Sequence, residues 1–199
     1  LAAFVEAARL ADKLVGRSEA PAREPNLPLT VIFPDQRREP KMPDTIASTV
    51  SIEKARPEHL REIVAIINAG ATSVRKDREF ADWQDYRPAF DALVAAPECD
   101  IYVALAESGE VVGTFQIHFM KGLAFQGRPR VELESVHVRA DQRGTGVGRL
   151  MMARAEDLAW QGNACMVQLT SNKEREGSHH FYKRLGYDQS HHGYKKMFV

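Results

Sequence analysis

The sequence predicts a mixed α/β domain behind a proline-rich leader, on three observations. From Thr49 onward, strand-length apolar or alternating runs are interspersed with segments of helical periodicity. One of those strands runs through a glycine-rich turn straight into an amphipathic helix, at Val131–Gln161. Before them, Pro21, Pro25, Pro28, Pro34, Pro40 and Pro43 crowd a segment that resists helix and sheet interiors alike. The division is therefore a leader over 1–45, with a short amphipathic helix over its first fifteen or so residues, and a folded domain over 46–199. Met42 is a candidate translation start; a docking arm is the functional alternative for the leader.

Thr49–Lys54 alternates polar and apolar residues, which suits a first strand. Arg56-Pro57 opens a helix with Leu60, Ile63, Val64 and Ile67 on one stripe, and Gly70 stops it. A second helix spans 82–95, with Tyr86, Phe90, Leu93 and Val94 on one face. Ile101–Leu105 and Val111–Met120 read as strands joined by the hairpin turn Glu107-Ser108-Gly109-Glu110. Gly113 inside the second marks a bulge or a close backbone approach. Val131–Val138 is the next strand, followed by a helix over 146–161, a strand at Met166–Thr170, a short helix ending near Leu185 and a last strand near Tyr194–Val199.

Composition bounds the function. The 199 residues carry 27 basic and 27 acidic side chains, and 44% are apolar, enough for an ordinary core. The balanced charge argues against a nucleic-acid binder. Two distant cysteines, Cys99 and Cys165, form neither a disulfide framework nor a metal-ligand cluster. No apolar run reaches bilayer-spanning length and no signal peptide is evident, so no membrane partner and a cytoplasmic setting are expected.

The chemistry concentrates at the turn Arg143-Gly144-Thr145-Gly146-Val147-Gly148-Arg149. The first N–H groups of a helix lack intrahelical partners and carry partial positive charge. Glycines let a phosphate approach that backbone, and Arg143 and Arg149 add cationic partners, so a pyrophosphate is the natural guest. A P-loop is excluded because Gly-Lys-Ser/Thr is missing; a dinucleotide fingerprint is excluded because the glycines fall as G-x-G-x-G.

This run resembles the acyl-CoA signature of the GNAT superfamily of N-acetyltransferases, R/Q-x-x-G-x-G/A, beginning at Arg143, or in an alternative register at Asp141, where the first position departs from the family's. His180-Phe181-Tyr182-Lys183-Arg184-Leu185-Gly186-Tyr187 is similar to the family's second signature, an aromatic pair followed by Leu-Gly-aromatic. The resemblance covers about Thr49–Val199. It implies a central, mostly antiparallel sheet that splays to admit the cofactor and is flanked by helices. It also implies acetyl-CoA as acyl donor, no metal, and transfer of the acetyl group to a primary amine of a small-molecule or protein acceptor by direct attack. The alternative is a non-catalytic acyl-CoA-binding or sensing module. An added strand or an exchanged tail could support a homodimer.

Mapped by the resemblance, the backbones of Val136, His137 and Val138 pair with the pantetheine arm, and Arg143, Gly144, Thr145, Gly146, Val147, Gly148 and Arg149 hold the pyrophosphate. Some members carry an asparagine seven residues before the helix tyrosine; that position here is Arg175, and Asn172 is the nearby substitute. Tyr182 resembles the tyrosine that protonates the leaving sulfur. For the base, Glu132 and Glu134 stand two apart on one strand and so share a face, one expected to carry Val136 and Val138 as well. A carboxylate buried there rises in pKa toward a range useful for accepting a proton, directly or through water. The opposing reading is a solvated or salt-bridged pair. His118 and His137 are surface or lining residues, and the adjacent pairs His179-His180 and His191-His192 do not read as a metal site.

Overall fold

The computed structural model describes residues 50–72, 75, 76, 79 and 82–198. The leader and the first residues of the expected domain, 1–49, lie outside them. The strands are β1 (Val50–Lys54), β2 (Cys99–Ala106), β3 (Val111–Met120), β4 (Arg130–Val138) and β5 (Val167–Leu169). The helices are α1 (Leu60–Ala69), α2 (Arg87–Ala95), α3 (Val147–Gln161) and α4 (Glu176–Arg184). The five strands form one sheet in chain order. Pairing is antiparallel from β1 to β4, with α1 and α2 in the β1–β2 connection and a tight turn between β2 and β3, and parallel from β4 to β5, where α3 supplies the crossover.

Alternation along the strands sorts side chains into two cores. On one face, Ile101, Val103 and Leu105 of β2 meet Leu60, Ile63, Val64 and Ile67 of α1 and Phe90 of α2. On the other, Tyr102, Ala104, Phe115, Ile117, Val131 and Leu133 meet Val147, Met151, Met152 and Ala155 of α3, with Phe181, Tyr182 and Leu185 of α4 packed alongside. A fully buried side chain of this size contributes about 1.5–3 kcal/mol relative to exposure. Glu62 fastens α1 to the sheet by accepting the Val111 backbone N–H at 2.8 Å.

Three expectations change. Both N-terminal helices begin one turn late, because Pro57–His59 and Trp83–Tyr86 wind as tighter 3₁₀ turns before α1 and α2. Val94 lies 41% exposed although Phe90 is buried, since α2 meets the sheet through a stripe too narrow to include it. Residues 188–198 hold no regular structure, so the last expected strand is absent among the described residues.

Gly113 serves both purposes a strand glycine can. Val112 is the extra residue of a bulge in β3, with Ala104 opposite Gly113 and Leu105 opposite Val111. A Cβ on Gly113 would lie 2.6 Å from Met151 Sδ and 3.2 Å from the His137 carbonyl oxygen. The thioether can turn aside, but the carbonyl belongs to the β-ladder and cannot. Gly113→Val therefore destabilises the domain by roughly 1–3 kcal/mol through overpacking, read as a lower urea midpoint with unchanged slope.

Candidate active site

The cradle is built by local geometry. After β4 the chain makes a 3₁₀ turn at Ala140–Gln142, closed by Arg139 against Asp141 at 2.8 Å and by Thr145 Oγ1 donating to the Gln142 carbonyl at 2.8 Å. Gly144 (φ +81°) and Gly146 (φ +101°) then turn through the left-handed region that side chains with a Cβ disfavour. Gly146 is the N-cap of α3 and no side chain among the described residues caps the helix, which leaves its first N–H groups for an anion. Val147 points into the core, while Gly144, Thr145 and Arg149 are exposed. Arg143 is exposed too, and its Nε donates to the Val138 carbonyl at 3.3 Å. Gly148 has a packing reason as well: a Cβ there would come within 3.3 Å of the Phe181 ring, so its smallness seats α3 against α4.

Beside the cradle the sheet opens. β5 pairs with β4 only from Val131 to Leu133, so among the described residues no strand covers that edge of β4 from Glu134 to Val138. The exposed backbone groups can accept an extended, amide-bearing chain as a strand would. The opening coincides with a bulge. Thr114 faces His137 and Gln116 faces Glu134, leaving one extra residue in β4, and Ser135 adopts φ +48°.

The bulge corrects the face assignment. Strict alternation places Val136 and Val138 with Glu132 and Glu134, but the extra residue reverses the phase. Val136 and Val138 pack with Val131 and Leu133 on the α3 side. Glu132 and Glu134 keep the opposite face and share it with His137, whose ring lies against Gly70 at the end of α1. A Cβ on Gly70 would fall 2.4 Å from His137 Nδ1.

That face is polar where α1 and α2 leave it uncovered. Glu132 is half-buried and accepts a hydrogen bond from Gln168 Nε2 at 2.5 Å. Glu134 is exposed and lies opposite Gln116. His137 is buried, and burial first, then the guanidiniums of Arg175, Arg75 and Arg143, push its pKa down to about 4, with Glu79 opposing. Its imidazole is neutral at physiological pH.

Tyr182 approaches from the other side. It packs into the α3 core, its ring edge-on to Phe181 and Tyr187 at 5.3 and 5.9 Å between centroids. Burial raises its pKa, partly offset by Arg175, so the phenol stays protonated and can donate. Among the described residues its hydroxyl has no hydrogen-bond partner. Arg175 acts electrostatically on both Tyr182 and His137, which places it at the boundary of the two faces. It donates to the Gly70 carbonyl, and Asn172 Nδ2 reaches Thr72 Oγ1 at 3.5 Å, so the loop before α4 clasps the end of α1. Asn172 Oδ1 also accepts the Glu174 backbone N–H at 3.0 Å, shaping that loop.

Sequence reasoning missed Ser135, the clasp and Gln168. No local signal marks a serine as a bulge residue, and Arg175 and Gly70 meet across 105 positions of chain. Only the β4–β5 register places Gln168 beside Glu132.

A glycine-turned helix N-terminus beside an opened strand, with a phenol on one side and carboxylates on the other, is an arrangement suited to an acyltransferase of the mixed α/β class. The sequence model of the Acetyltransferase (GNAT) family matches residues 60–187. The chain is 34% identical over 115 residues to the aminoalkylphosphonate N-acetyltransferase of Salmonella typhimurium, covering 58% of this chain and 73% of that protein. It is 30% identical over 142 residues to the peptidyl-lysine N-acetyltransferase YjaB of Escherichia coli, covering 69% and 82%. A transcriptional regulator from Bacillus halodurans C-125 superposes with a TM-score of 0.69 at 28% identity, over 75% of this chain and 99% of that one. The chain belongs to the GNAT family of acetyltransferases, enzymes that take acetyl-CoA as acyl donor and act on amine acceptors. Among the described residues no helix is long and apolar enough to cross a membrane.

Proposed function

We propose that the protein transfers the acetyl group of acetyl-CoA directly to a primary amine. The observation that carries this is the two-sided opening at the β4–β5 gap, with Tyr182 packed on the α3 face and Glu132 and Glu134 on the opposite, polar one.

Each residue then has a role set by its place. The N-terminal N–H groups of α3, presented by Gly144, Thr145, Gly146, Val147 and Gly148, hold the pyrophosphate, with Arg143 and Arg149 as cationic partners. The open edge of β4, through the backbones of Val136, His137 and Val138, hydrogen-bonds the pantetheine amides. Acetyl-CoA supplies the activated acetyl group as a thioester. Glu132, with Glu134 nearby, accepts the proton the amine must lose to become nucleophilic. The Tyr182 phenol donates a proton toward the departing sulfur. Asn172 keeps the loop before α4 against α1, closing the cleft end where the donor and acceptor sides meet.

The names of the two relatives give the first acceptors to test, an aminoalkylphosphonate and a lysine-containing peptide. Arg175 beside His137 favours an acceptor with an anionic group, whereas Arg75 is already paired with Glu79 at 2.8 Å.

Calorimetric titration of the full chain tests the donor side. Acetyl-CoA and desulfo-CoA bind with a Kd of about 1–100 µM, about −5.5 to −8.2 kcal/mol, while ATP, which lacks the pantetheine arm, binds at least about tenfold more weakly. A folded chain that ignores both CoA species overturns the reading. Equal affinity for ATP and acetyl-CoA would leave only a phosphate site.

A further inference from the structure

The polar face of the sheet holds one lateral row. Cys99 of β2 stands opposite His118 of β3, His118 opposite Glu132 of β4, and Glu132 opposite Gln168 of β5. Directly opposed side chains on one face are close enough to interact. Two of the three contacts are made: Cys99 Sγ lies 3.0 Å from His118 Nδ1, and Gln168 Nε2 donates to Glu132 Oε2 at 2.5 Å. The third, between His118 and Glu132, is not. His118 Nε2 is buried and has no hydrogen-bond partner among the described residues.

The direction of the first contact sets the ring tautomer of His118. Burial, with Glu98 and Asp100 nearby, raises the Cys99 pKa and keeps the thiol protonated. A protonated thiol can donate, and when it does His118 Nδ1 accepts and the ring proton sits on Nε2. That leaves a buried N–H donor without an acceptor, which natural structures rarely tolerate. The residue across the ladder is a carboxylate with one oxygen engaged by Gln168 and the other open. Among the described residues, no three His, Cys, Asp or Glu side chains converge closely enough to hold a metal ion, so the row reads as a hydrogen-bond array.

We propose that His118 is a positioning residue for Glu132: Cys99 selects its tautomer, and its Nε2–H donates to the carboxylate oxygen that Gln168 leaves free. This rests on the reading of Glu132 as the base. Held from both sides by Gln168 and His118, the carboxylate loses rotational freedom and directs its remaining lone pairs at the acceptor amine or an intervening water. The gain is in geometry.

Two measurements on the full chain test it. In long-range ¹H–¹⁵N spectra His118 shows the Nε2–H tautomer, and its Nε2–H exchanges slowly with water; in Glu132→Ala exchange accelerates at least about tenfold as the acceptor disappears. The Nδ1–H tautomer, or exchange indifferent to Glu132→Ala, overturns the proposal without touching the base assignment. The second measurement is a double-mutant cycle on thiol release at saturating acetyl-CoA with aminomethylphosphonate as acceptor. His118→Phe lowers kcat by about tenfold with the KM for acetyl-CoA unchanged, and His118→Gln, whose amide can donate instead, recovers most of it. In a Glu132→Gln background His118→Phe changes kcat less than about twofold, because the group it positions is already gone. An equal loss in both backgrounds shows that His118 acts independently of Glu132 and overturns the proposal, as does a folded His118→Phe with full kcat. Should His118→Phe not fold, Cys99→Ala replaces it, with kcat reduced about two- to fivefold and restored by Cys99→Ser; full activity in Cys99→Ala has the same negative meaning. Glu132→Gln with undiminished kcat removes the base reading itself, and the exchange measurement then stands alone on the His118–Glu132 contact.

Discussion

Tyr182→Phe lowers kcat by about 10²-fold or more while leaving the affinity for acetyl-CoA within about twofold of the native value. The substitution removes one oxygen and keeps the ring, so the edge-on contacts with Phe181 and Tyr187 survive. Its hydroxyl has no partner among the described residues, so no hydrogen bond among them is lost. A structural role for that hydroxyl would show in the melting temperature; a proton-donor role shows in kcat alone. Steady-state thiol release together with calorimetry of acetyl-CoA separates the two. Unchanged turnover removes Tyr182 from the mechanism and points to water as the donor.

The second large effect is on stability and comes from His137. In the unfolded chain an imidazole titrates near its ordinary value of 6.5; in the fold, burial and three nearby arginines hold it at about 4. Above pH 6.5 both states are neutral at this site and the folded state is not penalised. As pH falls from 6.5 toward 4, the unfolded chain takes up a proton that the folded one refuses, so stability drops, and the loss is complete only below the folded value. A separation of this size corresponds to about 3 kcal/mol of unfolding free energy over that window. Urea unfolding at a series of pH values should show this decline in the native protein, and His137→Gln should lack about that much of it. Identical pH dependence in the two proteins would mean that the imidazole ionises freely in the fold. Arg175 is a principal electrostatic cause after burial, so Arg175→Met is expected to reduce the decline part-way.

Most of the architecture could be read from local pattern. α1 follows from the spacing of Leu60, Ile63, Val64 and Ile67, all of them buried as that spacing requires. The hairpin between β2 and β3 follows from Gly109, which turns at φ +84°. The strand expected near the C-terminus does not form among the described residues. A strand needs a partner edge, and the alternation near Tyr194–Phe198 says nothing about whether one is supplied; Tyr194 lies 93% exposed.

The sequence by itself determined the elements whose physics is contained in a few consecutive residues. Chief among these is the glycine turn into α3, because backbone dihedrals and helix-end N–H groups depend only on neighbours in the chain. Tertiary structure alone decided which side chains share a face and what they touch. One extra residue at Ser135 moved Val136 and Val138 away from Glu132 and Glu134 and brought His137 in, a change of phase that no periodicity count can foresee. The β2–β5 register aligned Cys99, His118, Glu132 and Gln168 from four separate strands. The Arg175–Gly70 clasp and the low pKa of His137 arise from charges and burial contributed by distant segments. Such properties depend on long-range pairing, and pairing is selected by the burial of the whole sheet rather than by any one strand.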